Sequence, residues 1–434
     1  MDDSFATAIS GADGWSLAVI SADGQTIYDD RAYRAVTPAS VQKLIVAATG
    51  LDVLGSRFRF HTILAGEHAI APDGSLEGNL WLVGSGDPSF RSEDLESGVK
   101  MLAMAGLRDV SGSIAIDAGS MHGPELNPHW DPDDEGEDYA APTSAVSIDG
   151  DTVEFDVTGT SPGEPAEVQV VPASDAISTT GEIVTSSTEG GDDVTIAPQS
   201  APNEFALGGS VPSDAREKYW LPVRGVAAYA GAVLERMLRE RNVQAGNPIV
   251  APAPLDSIVL WDHASAPLRP LEAHMLYDSD NHYAEQLLRA VGGERTGTAS
   301  DVNGIATEVR FLSERGIPTP GLRLLDGSGL ADGNRVAAIT LARVLSDSEL
   351  RGSDASLYLL LPLGGRQGTL KQYDFTTALG RVRAKSGHIT GVASLAGFVN
   401  TLGHGRLAFA FSIDGSPGDP DAAIVRAVNR LAGL

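Results

Sequence analysis

The 434-residue sequence predicts an α/β protein of the α+β kind, a frame of strands and helices interrupted by a long, mainly β insertion. Three observations predict it. A pair of short strands near the N-terminus runs into an apolar helix. Residues 64–251 then turn rich in Gly, Pro, Ser, Thr and Asp, with short alternating strands. From residue 252 helical patterns return, and the chain closes on strands and an amphipathic helix.

Trp15-Ser16-Leu17-Ala18-Val19-Ile20 and Thr26-Ile27-Tyr28 read as strands around the turn Asp23-Gly24. Thr37-Pro38-Ala39 is a helix entry. The run from Leu44 to Ala48, continuing to Leu51 and Leu54, predicts a helix buried on most sides. In the insertion, residues 112–117 and 166–171 alternate as strands. Gly84-Ser85-Gly86-Asp87 lacks the Gly-Lys-Ser/Thr of a phosphate loop and reads as a turn at a domain junction. Helices are expected over 271–291, 304–315 and 339–350, a strand over 406–413, and a terminal helix over 421–434.

A net charge of −27 argues against nucleic acid and anionic lipid as partners. The absence of cysteine excludes disulfides and thiolate metal sites. No run reaches the roughly 18 apolar residues of a membrane span. The acidic run 131–138 lacks EF-hand spacing, and His122 and His129 lack convincing partners, so neither metal nor cofactor is expected. Met1-Asp2-Asp3-Ser4 is expected to follow a removed export signal, which places the protein outside the cytoplasm. The oligomeric state is not legible.

Three motifs carry the chemistry: Ser40-Val41-Gln42-Lys43, Ser279-Asp280-Asn281 and Lys385-Ser386-Gly387. In this order they read as one serine acyl-transfer site. Ser-x-x-Lys alone is common, and a second copy, Ser97-Gly98-Val99-Lys100, sits among Glu93, Asp94 and Glu96 as a solvated helix face. Lysine is rare, however. Of the five in the chain, two fall in the motif set, where arginine could not lose a proton.

A serine hydroxyl needs a neighbouring base. On a helix Ser40 and Lys43 share one face. A basic lysine must be neutral, which requires a shift of roughly 3 units, or about 4 kcal/mol. Burial and a second cation, Lys385, both push that way. Ser279 can relay a proton to the leaving group, and Asn281 can hold the substrate amide and Lys43. Lys385-Ser386-Gly387 belongs on an edge strand, with Gly387 allowing close approach. Lys385 and Ser386 can bind a substrate carboxylate. The N–H groups of Ser40 and His388 are oxyanion donors.

On these residues the chain resembles the class C low-molecular-mass penicillin-binding proteins, the D-alanyl-D-alanine carboxypeptidase/endopeptidases with inserted domains. Residues 37–44 are similar to the family's Pro-Ala-Ser-x-x-Lys-Leu segment, and residues 279–288 to its Ser-x-Asn helix. Residues 325–330 match its Asp-Gly-Ser-Gly-Leu loop, 385–398 its final motif and strand, and 82–88 a segment of the inserted region. The resemblance runs from about Trp15 to the C-terminus. It implies a penicillin-binding-protein/β-lactamase-like transpeptidase fold: an antiparallel sheet with flanking helices, a helical lobe and mainly β inserted domains. It implies a catalytic domain of 1–63 and 252–434, an insertion of 64–86 and 158–251, and a nested domain of 87–157. Asp326 and Ser328 then join the substrate side of the site. Peptidoglycan peptides and β-lactam antibiotics become the expected partners, through an acyl-enzyme on Ser40.

Three departures stand out. Ser386 replaces the usual Thr and keeps the hydroxyl. His388 stands where the family usually has a small hydroxyl residue, which invites pH-dependent carboxylate binding. After the Asp-Gly-Ser-Gly-Leu loop, Asp332 would repel an acidic peptide side chain, and Arg335 is expected to face elsewhere. A related esterase, D-amino-acid amidase or weak β-lactamase is the second reading, favoured if esters without a terminal carboxylate react well. A non-enzymatic β-lactam- or wall-binding protein is the third, excluded by rapid recovery of free Ser40.

Overall fold

The computed structural model describes residues 12, 14–188, 191–415 and 419–434. Met1-Asp2-Asp3-Ser4 lies outside them. Two compact units result. The first comprises residues 1–59, 127–131 and 266–434, and the second 60–126 and 132–265.

In the first unit the near-continuous apolar run of β1 (Gly14–Ser21) makes a strand buried on both faces. It pairs antiparallel with β2 (Thr26–Asp30) and with a strand from the far end of the chain. The sheet order is β3 (Val382–Ile389), β4 (Val392–Asn400), β5 (Arg406–Asp414), β1, β2. β3 is therefore an edge, as expected for the strand carrying Lys385. The helices are α1 (Lys43–Val53), α2 (Leu268–Asp278), α3 (Asn281–Thr296), α4 (Asp301–Glu314), α5 (Ala338–Leu350) and α6 (Pro420–Ala432). α6 lays Ala423, Ile424, Ala427 and Val428 on Leu17, Val19, Leu395, Phe409 and Phe411. α5 packs on β1 and β5. α1 is packed by α2, α3, α4 and α5, which explains why its apolar residues fall on every side. Leu44, Ile45 and Val46 are fully buried, each contributing about 1.5–3 kcal/mol.

One helix expected over 271–291 is two. It breaks at Ser279, whose φ of 63° ends α2 in the left-handed region. Asp280 then caps α3 by accepting from Tyr283 N at 3.0 Å. Aspartate at a helix start and a serine forced out of helical geometry outweigh the continuous apolar pattern.

The second unit holds a sheet ordered Gln244–Val250, Asp109–Asp117, Leu80–Gly84, His61–Gly66, Ile258–Ala264. Two helices, Ser92–Met104 and Val226–Glu240, join its core, so the insertion is less purely β than its composition suggests. The strand Asp109–Asp117 falls within the 87–157 expected as a nested domain. It pairs parallel with Leu80–Gly84 through the crossover helix Ser92–Met104. Ile114 and Ile116 bury completely in the same core as Leu64 and Leu82. Smaller sheets are formed instead by strands between Thr152 and Pro222.

Candidate active site

The turn that carries Ser40 is built under strain. Ala39, a non-glycine residue, has φ 50°, a conformation costing about 1–3 kcal/mol. Residues Ala39–Gln42 form one turn of 3₁₀ helix before α1 begins at Lys43. A 3₁₀ turn has three residues per turn, so Ser40 and Lys43 eclipse one another. Ser40 is partly exposed while Val41 to Gly50 are buried.

Lys43 is completely buried. Its Nζ lies 3.0 Å from Ser40 Oγ, 2.7 Å from Asn281 Oδ1 and 2.9 Å from the Ser328 carbonyl. The amide oxygen and the carbonyl only accept. A neutral amine would donate its two hydrogens to them and turn its lone pair to the serine hydroxyl. Burial lowers the Lys43 pKa to about 8, against the opposing charges of Glu285, Asp326 and Asp280. Lys385 is also fully buried and donates to the Ser386 carbonyl at 2.5 Å. Burial first, then the neighbouring Lys43, push it well below the usual lysine range.

Gly387 brings the edge strand against the turn. A Cβ there would lie 2.8 Å from Ser40 N, 3.0 Å from Val41 N and 2.5 Å from Ser394 Oγ, so any side chain would force β3 away. Ser386 Oγ is 2.7 Å from Thr369 Oγ1. His388 Nε2 lies 2.8 Å from Asp421 Oδ1 and 3.1 Å from Tyr373 Oη.

The structure thus joins Ser40, Lys43, Asn281 and Ser328, with Lys385, Ser386 and Gly387 on the facing strand. Ser279 occupies the turn beside Asn281, and no hydrogen bond among the described residues links it to Lys43 or Ser40. Asp326 is fully buried and committed to the protein. It accepts from Gly329 N, Ala331 N, Asn334 Nδ2, Gln42 Nε2 and Trp130 Nε1. It organises the loop that carries Ser328. Arg335 donates to the carbonyls of Asp332 and Asn334.

Sequence reasoning missed the supports of this loop. Glu285 accepts from Gly327 N at 3.0 Å and Ser328 N at 2.7 Å, which aims the Ser328 carbonyl at Lys43. Burial, then Asp326 and Asp301, push Glu285 up to about 8 against those hydrogen bonds. Its signal was available: Glu285 lies four residues after Asn281 and shares its helix face. Gln42 was hidden among the unspecified motif positions. Trp130 has no local signal, because residues 127–131 join the catalytic unit from within the insertion.

A serine beside a buried, pKa-depressed lysine, faced by a second lysine on an edge strand, defines a serine acyl-transfer hydrolase of the penicillin-binding/β-lactamase-like fold. The chain belongs to the D-Ala-D-Ala carboxypeptidase 3 (S13) family, whose pattern matches residues 7–432. This bears out the class C resemblance and the assignment as a serine DD-peptidase. The chain is 32% identical over 438 residues to a D-alanyl-D-alanine carboxypeptidase of Actinomadura sp. (strain R39), covering 97% of this chain and 81% of that one. It is 27% identical over 416 residues to the D-alanyl-D-alanine carboxypeptidase DacB of Haemophilus influenzae, covering 93% and 86%. The crystal structure of penicillin binding protein 4 (dacB) from Haemophilus influenzae matches with a TM-score of 0.86 at 25% identity, over 100% of both chains.

Proposed function

We propose that the protein cleaves the D-Ala-D-Ala end, or a D-configured crosslink, of peptidoglycan peptides outside the cytoplasm. The observation that carries this is Lys43 Nζ at 3.0 Å from Ser40 Oγ, fully buried and lowered to about 8. About a tenth of such lysines are neutral at pH 7.

Lys43 takes the Ser40 proton as Oγ attacks the scissile carbonyl. The N–H groups of Ser40 and His388 hold the oxyanion. The tetrahedral intermediate collapses, and the leaving amine takes a proton through Ser279. Water then attacks the acyl-Ser40 ester, restoring the hydroxyl and releasing the shortened peptide. Lys385 and Ser386 hold the substrate's terminal carboxylate, whose charge favours the protonated form of Lys385 on binding. Asn281 orients both Lys43 and the substrate amide.

β-Lactams are expected to acylate the same serine, since they present a scissile amide and keep the leaving group tethered. A relative's solved structure, 24% identical, is a complex with a novel β-lactam. The test is incubation with a fluorescent penicillin and mapping of the adduct by mass spectrometry. An adduct on Ser40 is expected. A folded sample that stays unlabelled, or is labelled elsewhere, overturns the assignment, and ester and D-amino-acid amide substrates become the next ones to try.

A further inference from the structure

We propose that His274 is a positioning residue for the leaving-group proton: its ring grips the residues on both sides of Ser279 and fixes the turn from which that hydroxyl works. This rests on the reading of Ser279 as the proton relay and names what holds it in place.

Ser279 and Asp280 are the whole link between α2 and α3. Ser279 sits there with φ 63° and ψ 30°. A residue with a Cβ seldom adopts this left-handed conformation, and serine lacks the allowance that Gly, Asn and Asp have. No hydrogen bond among the described residues ties Ser279 to Lys43 or Ser40, so the turn is what aims its hydroxyl. A turn in an unfavourable conformation has to be held by its neighbours.

Asp278 ends α2 and Asp280 caps α3. His274 lies one turn back on α2, four residues before Asp278. Its Nδ1 meets Asp278 Oδ2 at 3.0 Å, and its Nε2 meets Asp280 Oδ2 at 3.3 Å. Asp280 divides its oxygens: Oδ1 accepts from Tyr283 N and starts α3, while Oδ2 takes the ring. The ring also packs on Tyr283, in the first turn of α3, with centroids 4.4 Å apart. One side chain thus touches both sides of the helix break. Carboxylates only accept, so the two bonds together call for a proton on each ring nitrogen, the imidazolium. Burial would raise the Asp280 carboxyl, but the bond from His274, the charge of His282 and the N–H of Tyr283 hold it below its usual range. A cation at the carboxyl end of α2 also suits that helix's dipole. A histidine serving the helix surface would need one carboxylate. This one bridges the two that flank the relay.

The test compares an acyl-D-alanyl-D-alanine peptide with a thiolester that carries the same acyl group. Both give one acyl-enzyme, so the two kcat/KM values report acylation. An amine must take a proton to leave, whereas a thiolate leaves without one, so only the peptide needs the relay. In Ser279→Ala the peptide-to-thiolester ratio of kcat/KM is expected to fall at least about tenfold. His274→Phe keeps a ring on Tyr283 but neither bond. There the ratio is expected to fall about three- to tenfold, the range open to two partly exposed ion pairs, with the thiolester value within about twofold of wild type. His274→Gln, which keeps one donor, should fall between the two. Cooperative melting checks that each variant folds, and His274→Gln carries the comparison if His274→Phe does not.

Equal losses on both substrates in the His274 variants would make the histidine a support of the fold, and an unchanged ratio would make it idle. Either result overturns the proposal. A Ser279→Ala ratio equal to wild type would remove the relay itself and the proposal with it. A wild type that turns over neither substrate would strike the peptidase reading, so the failures are distinguishable.

Discussion

The chain carries Ser-x-x-Lys twice, and the two copies part company in their surroundings. Ser97 and Lys100 lie on an exposed face of the helix Ser92–Met104, with Ser97 Oγ donating to the Glu93 carbonyl at 2.9 Å. Lys100 keeps its ammonium in water. Ser40 and Lys43 have the same spacing, but Lys43 is fully buried and bonded to Asn281 and Ser328 from two other elements. Spacing puts a lysine near a serine. Removal from water is what makes that lysine a base, because desolvation penalises its charged form.

The comparison breaks most sharply at the serines. Ser40→Ala should lower turnover by roughly 10⁴-fold or more and abolish covalent penicillin labelling, whereas Ser97→Ala should leave both near wild type. Residual labelling of the first variant would show that another nucleophile is at work. The lysines come next. Lys43→Arg should cost roughly 10²–10⁴-fold in acylation, since arginine stays protonated, while Lys100→Arg should be silent. Retention of more than about a tenth of the rate in the Lys43 variant would remove Lys43 as the base. Gly387→Ala tests the facing strand. Its methyl group meets Ser40 N and Ser394 Oγ, and a displacement of about 1 Å should cost roughly 10²-fold. Stopped-flow acylation would read it, and a wild-type rate would mean that β3 does not set the geometry.

A pH profile sharpens the electrostatic half of the comparison. As the proposed base, Lys43 would act in its neutral form, and burial lowers its pKa to about 8. Acylation by a substrate without ionisable groups should rise about tenfold per pH unit below that value and level off above it. A flat profile between pH 5 and 8 would mean that Lys43 does not titrate as the base in that range.

Much of this was legible because it is local. The three motifs, the apolar run of α1 and the edge-strand character of 382–389 rest on residues adjacent in sequence. What was not legible depends on chain segments far apart. The division of 271–291 into two helices turns on the conformation of Ser279, which an apolar pattern does not report. The role of Asp326 as the centre of a hydrogen-bonded loop needs Gln42, Asn334 and Trp130 brought to it. The parallel pairing of the strand Asp109–Asp117 with Leu80–Gly84 runs through a crossover, which sequence distance hides.

The sequence by itself determined the reaction class and the residue proposed as its nucleophile, since side-chain chemistry and short spacings are written directly in it. Only the tertiary structure decided that Lys43 is dry, that Glu285 aims a carbonyl at it and that His388 meets Asp421. Burial and long-range contacts are properties of the packed chain, and they alone give a serine and a lysine three residues apart the surroundings that the proposed nucleophile and base require.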